Sequence, residues 1–160
     1  ASWVRRYRNL LVTRTLSKSH SLAGFRVGYA ILPEALADDL NHHNDAYPLA
    51  RPSEAAAVAT LRHEEKIRAR AVELRGWAED LAGQLTTIGV KTYPSETYFF
   101  LADVAPHDAS VVAAKLREQS ILIKALNDVM LGPGFMRVTT ALPADNRRFL
   151  DAMRAVLAEL

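Results

Sequence analysis

The sequence predicts an α/β protein: a strand-loop-strand opening, a long helix, and a β-β-α-β-β-α close. Three observations carry this. Apolar runs of strand length flank a polar loop at 10–15 and 25–32. A single apolar stripe at spacings of three and four runs through Ile67, Ala71, Leu74, Ala78, Leu81, Leu85 and Ile88. Beyond it, short strand-like runs alternate with turn residues and two further helical segments.

The elements follow in order. Residues 10–15 and 25–32 read as two buried strands around the polar loop, because each is a nearly continuous apolar run. Pro33 suits a first helical position, so a short helix is expected through Leu40, ending in a turn at 41–45. Pro48 and Pro52 bracket an extended piece, and Ser53 is placed to cap an alanine-rich helix over 54–62. The long helix carries the apolar stripe, which marks a packed core helix, and Gly89 ends it. Strands are expected at 90–93 and 97–104. A helix at 110–119 has Val111, Ala114 and Leu116 as inward candidates. A buried strand at 121–126 and a returning strand at 135–140 are joined by a turn-rich connection with Gly132, Pro133 and Gly134 as breakers. Pro143 begins the last helix.

Composition narrows the function classes. A chain of 160 residues, 49% apolar and 24% charged, is an ordinary soluble globular sequence of one or two small domains. The absence of cysteine excludes a disulfide framework and a thiolate metal site, and fits a reducing compartment. No apolar run approaches a membrane span, and no signal peptide opens the chain. The net charge of +2 is too small to argue for nucleic acid. Arg5, Arg6 and Arg8, interleaved with Trp3 and Tyr7, mark an amphipathic helix end instead. His42, His43, His63 and His107 show no metal-ligand spacing with acidic partners, so no metal is expected. His20 fits a pocket wall or a solvated loop equally well. Ser17, Ser19 and Ser21 lack the glycine-flanked setting of a nucleophile elbow.

The informative window is Thr15-Leu16-Ser17-Lys18-Ser19-His20-Ser21-Leu22-Ala23-Gly24-Phe25-Arg26-Val27-Gly28-Tyr29. A lysine follows a strand, lies among hydroxyls, and precedes an arginine at the start of a second strand. A lysine amine becomes a nucleophile and base when nearby cations and desolvation make it neutral. Hydroxyl donors and an arginine fork suit a phosphate. Ala23 and Gly24 are expected to let the loop turn tightly.

This window resembles the cofactor-lysine motif of fold-type I enzymes that use pyridoxal 5'-phosphate (PLP), the class I/II aminotransferases, and is most similar to their histidinol-phosphate aminotransferase branch. The resemblance implies that Lys18 forms the Schiff base with PLP and is the catalytic residue. It implies that Thr15, Ser17 and Arg26 bind the PLP phosphate. It also implies that Phe135-Met136-Arg137-Val138-Thr139 is a strand whose Arg137 binds the substrate anion. A charge among apolar neighbours supports that reading, because a buried charge needs a partner. Lys124 stands thirteen residues upstream, where that branch carries a second phosphate-binding arginine. Lysine keeps the charge and loses the fork, which puts the specific substrate in doubt. Two further departures are Tyr47-Pro48-Leu49-Ala50, without the family's asparagines, and Thr97-Tyr98-Phe99, without an asparagine-phenylalanine pair.

The resemblance covers the C-terminal part of the family. Residues 1–62 are then the end of the PLP-binding large domain. Residues 63–160 are an α+β small C-terminal domain with its connecting helix. The chain is expected to be a fragment, inactive alone, of a cytoplasmic homodimeric enzyme. Its partners are an amino donor (histidinol phosphate or an amino acid) and a 2-oxo acid, with neither nucleic acid nor membrane. Two alternatives stay open: a PLP-dependent threonine-phosphate decarboxylase, and a noncatalytic module of this fold.

Overall fold

The computed structural model describes residues 2–43, 47–126 and 128–160. Asn44 and Asp45 of the expected turn, and Asn127 at the start of the expected connection, lie outside them. The chain divides into two compact units, Ala1–Arg70 and Ala71–Leu160.

In the first unit β1 (Val12–Thr15) and β2 (Gly28–Ile31) pair antiparallel, with Val12 opposite Ile31 and Thr15 opposite Gly28. Both strands are shorter than the apolar runs suggest. They are also largely exposed rather than buried: Thr13, Arg14 and Thr15 of β1 and Gly28, Tyr29 and Ala30 of β2 are exposed. A strand is buried on both faces only when layers cover both, and the sheet here has two strands. The unit's core forms just beyond the strand ends. Leu16, Leu22 and Val27 bury against Ala57, with Leu49 and Ala56 beside them.

Two further helices lie wholly within this unit, and only the second supplies residues to this core. In α1 (Glu34–Asn41) Pro33 is the extended N-cap and not the first helical residue. In α2 (Arg51–Leu61) the N-cap is Ala50, and Pro52 lies in the first turn. The expected cap, Ser53, is inside the helix and buried. Proline in a first turn loses no hydrogen bond, so the helix begins before the serine. The helix α3 (Glu64–Thr87) starts in this unit and ends in the second.

The second unit is a four-stranded antiparallel sheet in the order β3-β4-β6-β5. Its strands are β3 (Lys91–Thr92), β4 (Phe99–Asp103), β5 (Lys124–Ala125) and β6 (Phe135–Thr139). Alternation decides which side chains go inward. Phe100 and Ala102 of β4, and Met136 and Val138 of β6, are buried. They meet Ala78, Leu81 and Leu85 of α3 in one cluster. The same cluster takes Ala109, Val112 and Leu116 of α4 (Ala109–Glu118), and Phe149, Leu150, Met153 and Val156 of α5 (Pro143–Glu159).

Several expectations shift by a residue or a layer. The inward residues of α4 are Ala109, Val112 and Leu116, while Val111 and Ala114 are exposed. The stripe on α3 is buried only toward its C-terminal end: Ile67 and Leu74 are half-buried and Ala71 is exposed. The expected buried strand at 121–126 is a two-residue edge strand, and Leu122 keeps 75% of its surface. An edge strand has one neighbour, so its apolar residues are not enclosed. Gly89 does end α3. Its φ is +87°, and Val90 N–H donates to the Leu85 carbonyl at 3.1 Å, which closes the last turn. Asn146 ties α5 to β6. It accepts from Ala141 N–H at 2.8 Å and donates to the Thr140 hydroxyl at 2.9 Å. Among the described residues no helix is long and apolar enough to cross a membrane.

Gly28 is the glycine that the first unit cannot replace. A Cβ there would stand 2.9 Å from the Arg14 carbonyl oxygen, which is strand backbone and cannot swing aside. Around Gly24 there is open space. Gly28→Ala is expected to destabilise the full-length protein by about 1–3 kcal/mol. Gly24→Ala is expected to stay within about 0.5 kcal/mol of the parent. Denaturant unfolding of the two variants side by side checks this, and equal midpoints would contradict it.

Candidate active site

The lysine loop is a closed device built on Leu16. Leu16 N–H donates to the Val27 carbonyl at 3.1 Å, extending the β1–β2 pairing by one bond. The Leu16 carbonyl accepts Leu22 N–H at 3.0 Å, closing the excursion from 17 to 21. Within it, Ser21 N–H donates to the Lys18 carbonyl at 2.9 Å. A 3-10 turn over Ala23–Phe25 follows and ends at Arg26.

Two residues of this loop have left-handed backbone: Ser21 at φ +57° and Arg26 at φ +54°. Neither is glycine, and such conformations cost on the order of 1 kcal/mol or more each. They persist because the hydrogen bonds and the buried Leu16, Leu22 and Val27 fix the chain on either side. Strain of this kind concentrates at functional sites. The loop does turn at Ala23 and Gly24, the small residues expected to allow it, but the left-handed backbone is at Ser21 and Arg26 and the close backbone approach is at Gly28.

The structure places all four residues expected to hold the cofactor on this loop and its strand ends. Thr15 ends β1, and its Oγ1 accepts Ser17 N–H at 3.1 Å. The Ser17 side chain is half-buried. Lys18 is exposed, and its ammonium has no hydrogen bond or ion pair among the described residues. The Arg26 guanidinium donates to the Ala23 carbonyl at 3.1 Å and is otherwise uncommitted among the described residues. One short loop thus offers hydroxyls, a free amine and a guanidinium fork. A dianionic phosphate and a carbonyl carbon could both be met there.

The second expected pair lies on the sheet of the other unit. Lys124 and Arg137 are direct partners in the β5–β6 register. Directly opposed residues of an antiparallel pair point to the same face. A groove of about 280 Å³ is lined by both, with Leu122, Ile123 and Thr139. Arg137 is exposed and alternates with the buried Met136 and Val138, so it is not the desolvated charge that its apolar neighbours suggested. Period-two alternation puts it on the face opposite α3, α4 and α5. Its guanidinium carbon stands 5.4 Å from the Phe99 ring centroid, a cation–π contact. The role of Phe99 was not legible from the sequence, because the contact depends on the β4–β6 register. Neither cation has an anionic partner among the described residues. Like charges directly opposed on a sheet are unfavourable until an anion joins them.

Among the described residues no group of three or more histidine, aspartate or glutamate side chains could hold a metal.

Comparison with known proteins gives the family and the fold. Histidinol-phosphate aminotransferase 2 of Thiobacillus denitrificans is 38% identical over 160 residues, covering 96% of this chain and 44% of that protein. The crystal structure of the histidinol-phosphate aminotransferase from Clostridium acetobutylicum superposes with a TM-score of 0.89 at 20% identity, covering 99% of this chain and 49% of that one. That of the Sinorhizobium meliloti enzyme, in complex with pyridoxal-5'-phosphate, gives a TM-score of 0.82 at 24% identity, covering 95% of this chain and 42% of that one. The chain therefore spans less than half the length of these relatives. The sequence model of the aminotransferase class I and II family matches residues 1–153. With the lysine loop and the antiparallel second unit in place, the chain belongs to the class I and II aminotransferase family.

Proposed function

We propose that the whole protein is a PLP-dependent aminotransferase. It would transfer an amino group between an amino donor, histidinol phosphate or an amino acid, and a 2-oxo acid. The observation that carries this reading is the Lys18 loop, where an uncommitted amine sits in a hydrogen-bonded frame with Thr15, Ser17 and Arg26. Residues 1–62 serve as the end of the PLP-binding domain, and 63–160 as the small domain with its connecting helix. A cytoplasmic homodimer is part of the same reading.

The residues present fit the cofactor. Thr15 and Ser17 offer hydroxyls and Arg26 a fork, the donor set a phosphate ester takes. Bound PLP supplies an aldehyde that condenses with an amine and a ring that delocalises the electrons released at the substrate carbon. Lys18 would contribute the amine that holds the group and, when free, would move the proton at the substrate carbon as general base and acid. Arg26 fixes the phosphate end and so sets where the aldehyde end falls. Arg137 holds the substrate anion, with Lys124 beside it. Two cations in one groove suit a phosphate dianion better than a single carboxylate, which favours a phosphorylated donor. The names of the relatives point the same way.

Lys18 is tested by trapping. Borohydride is expected to fix PLP covalently on the full-length protein, with the modified peptide containing Lys18, and Lys18→Ala is expected to abolish the adduct. An adduct of equal yield in Lys18→Ala would overturn the assignment.

The substrate groove is tested by kinetics. Arg137→Ala is expected to lower kcat/KM about tenfold or more, since a hydrogen bond to a charged group contributes roughly 1.5–3 kcal/mol. PLP affinity should change little. With a phosphorylated donor Lys124→Ala is also expected to impair turnover. With an ordinary amino acid Lys124→Ala should be nearly silent. Small and equal effects of both substitutions on every substrate would remove these residues from the substrate site. Carbon dioxide released from O-phosphothreonine, without amino transfer, would mark the protein as a decarboxylase instead.

A further inference from the structure

His20 differs from its neighbours on the lysine loop. Lys18, Ser19 and Ser21 are exposed, whereas the His20 side chain keeps 10% of its surface. Its Nδ1 lies 3.0 Å from the Ser19 hydroxyl. Its Nε2 is fully enclosed and makes no hydrogen bond among the described residues. The Glu64 carboxylate oxygen Oε2 stands 3.6 Å from that nitrogen, just beyond hydrogen-bond length. Glu64 opens α3 and is itself held by Arg68, whose Nε donates to Oε1 at 3.1 Å. The Arg68 bond, aided by the proximity of His20, keeps the Glu64 carboxyl below its ordinary value, so the oxygen facing His20 is an acceptor.

The partners fix the tautomer. A carboxylate can only accept, so the proton of a neutral ring belongs on Nε2, and Nδ1 accepts from the Ser19 O–H. Enclosing a ring N–H without a bond carries a desolvation cost, and a carboxylate 3.6 Å away removes it by closing a few tenths of an ångström. The geometry also says what the contact is for. Ser21, the next residue, has the left-handed backbone, and its N–H holds the Lys18 carbonyl. A strained residue keeps its conformation only when its surroundings over-determine it. Burying His20 against α3 does this from one side, and Leu22 does it from the other.

We infer that His20 is a positioning residue for Lys18, tying the lysine loop through Glu64 to the first turn of α3. The functional part of this inference rests on the reading of Lys18 as the PLP lysine. His20 touches neither the cofactor nor the substrate in this role. It acts by fixing the backbone of 18–21, and so the direction from which the amine is presented.

The test is amide hydrogen exchange in the full-length protein, read at Ser21 and Leu22, with Val112 of the second unit as the internal reference. His20→Leu keeps the bulk and removes the donor. Glu64→Gln removes the charge. Each is expected to speed exchange at Ser21 and Leu22 about tenfold, the scale of one lost charge-assisted bond, and to leave Val112 unchanged. The double variant should exchange no faster than the worse single variant, because both break one contact. His20→Gln, which restores a donor near the ring nitrogen, should recover most of the protection. If His20→Leu does not fold, His20→Gln against Glu64→Gln and their double decide the same question. Unchanged exchange, or additive effects, would overturn the inference. PLP trapping separates the two readings. If wild-type protein traps no PLP at Lys18, the cofactor reading fails whatever the exchange shows. If it does, the rate of trapping should fall in His20→Leu and recover in His20→Gln. A rate that ignores both substitutions would leave His20 a purely structural residue.

Discussion

The first unit depends on the backbone of Leu16. Its N–H bonds forward to Val27 and its carbonyl receives Leu22, while its side chain is 2% exposed. One residue therefore ends the strand pairing, closes the lysine loop and anchors the core. The four residues proposed to hold the cofactor lie within two residues of that anchor or of Val27. Thr15 and Ser17 flank Leu16, Lys18 follows, and Arg26 precedes Val27. The residues proposed to hold the cofactor can thus stay uncommitted, since the apolar residues between them carry the stability. A buried leucine side chain contributes on the order of 2 kcal/mol, comparable to the strain at Ser21 and Arg26 together.

In the second unit the corresponding constraint is register. Lys124 meets Arg137, and Arg137 meets Leu101, because Met136 and Val138 must face the helices. A slip of one residue would exchange the buried and exposed sets of β6 and cost several buried apolar side chains. The position of the two cations is therefore fixed by methionine and valine on the opposite face. The arginine has no part in choosing where it sits.

Much of this was legible in the sequence. The α/β class and the long helix with its glycine stop follow from periodicity and breakers that tertiary context did not overturn. The lysine window was legible because its residue types make sense only together. What could not be read falls into two kinds. Burial of β1, β2 and β5 was overestimated, because an apolar run reports what a strand can tolerate and not how many layers this chain supplies. Partners across elements were invisible: the Phe99 ring under Arg137, Glu64 against His20, and Asn146 bridging to Thr140. Each depends on a register or a helix phase that spacing alone leaves open. Ser53 shows a third limit. A good capping residue was overruled by a proline that could enter the first turn one residue earlier.

Arg26 is asked for two things that no single residue type does best. Its backbone occupies the left-handed well, where glycine would rest without strain. Its side chain supplies a fork that glycine lacks. A population selected for thermal endurance alone would drift toward glycine at this position and toward a loop that folds more readily and grips nothing. The arginine thus marks a position where backbone ease and side-chain chemistry ask for different residues.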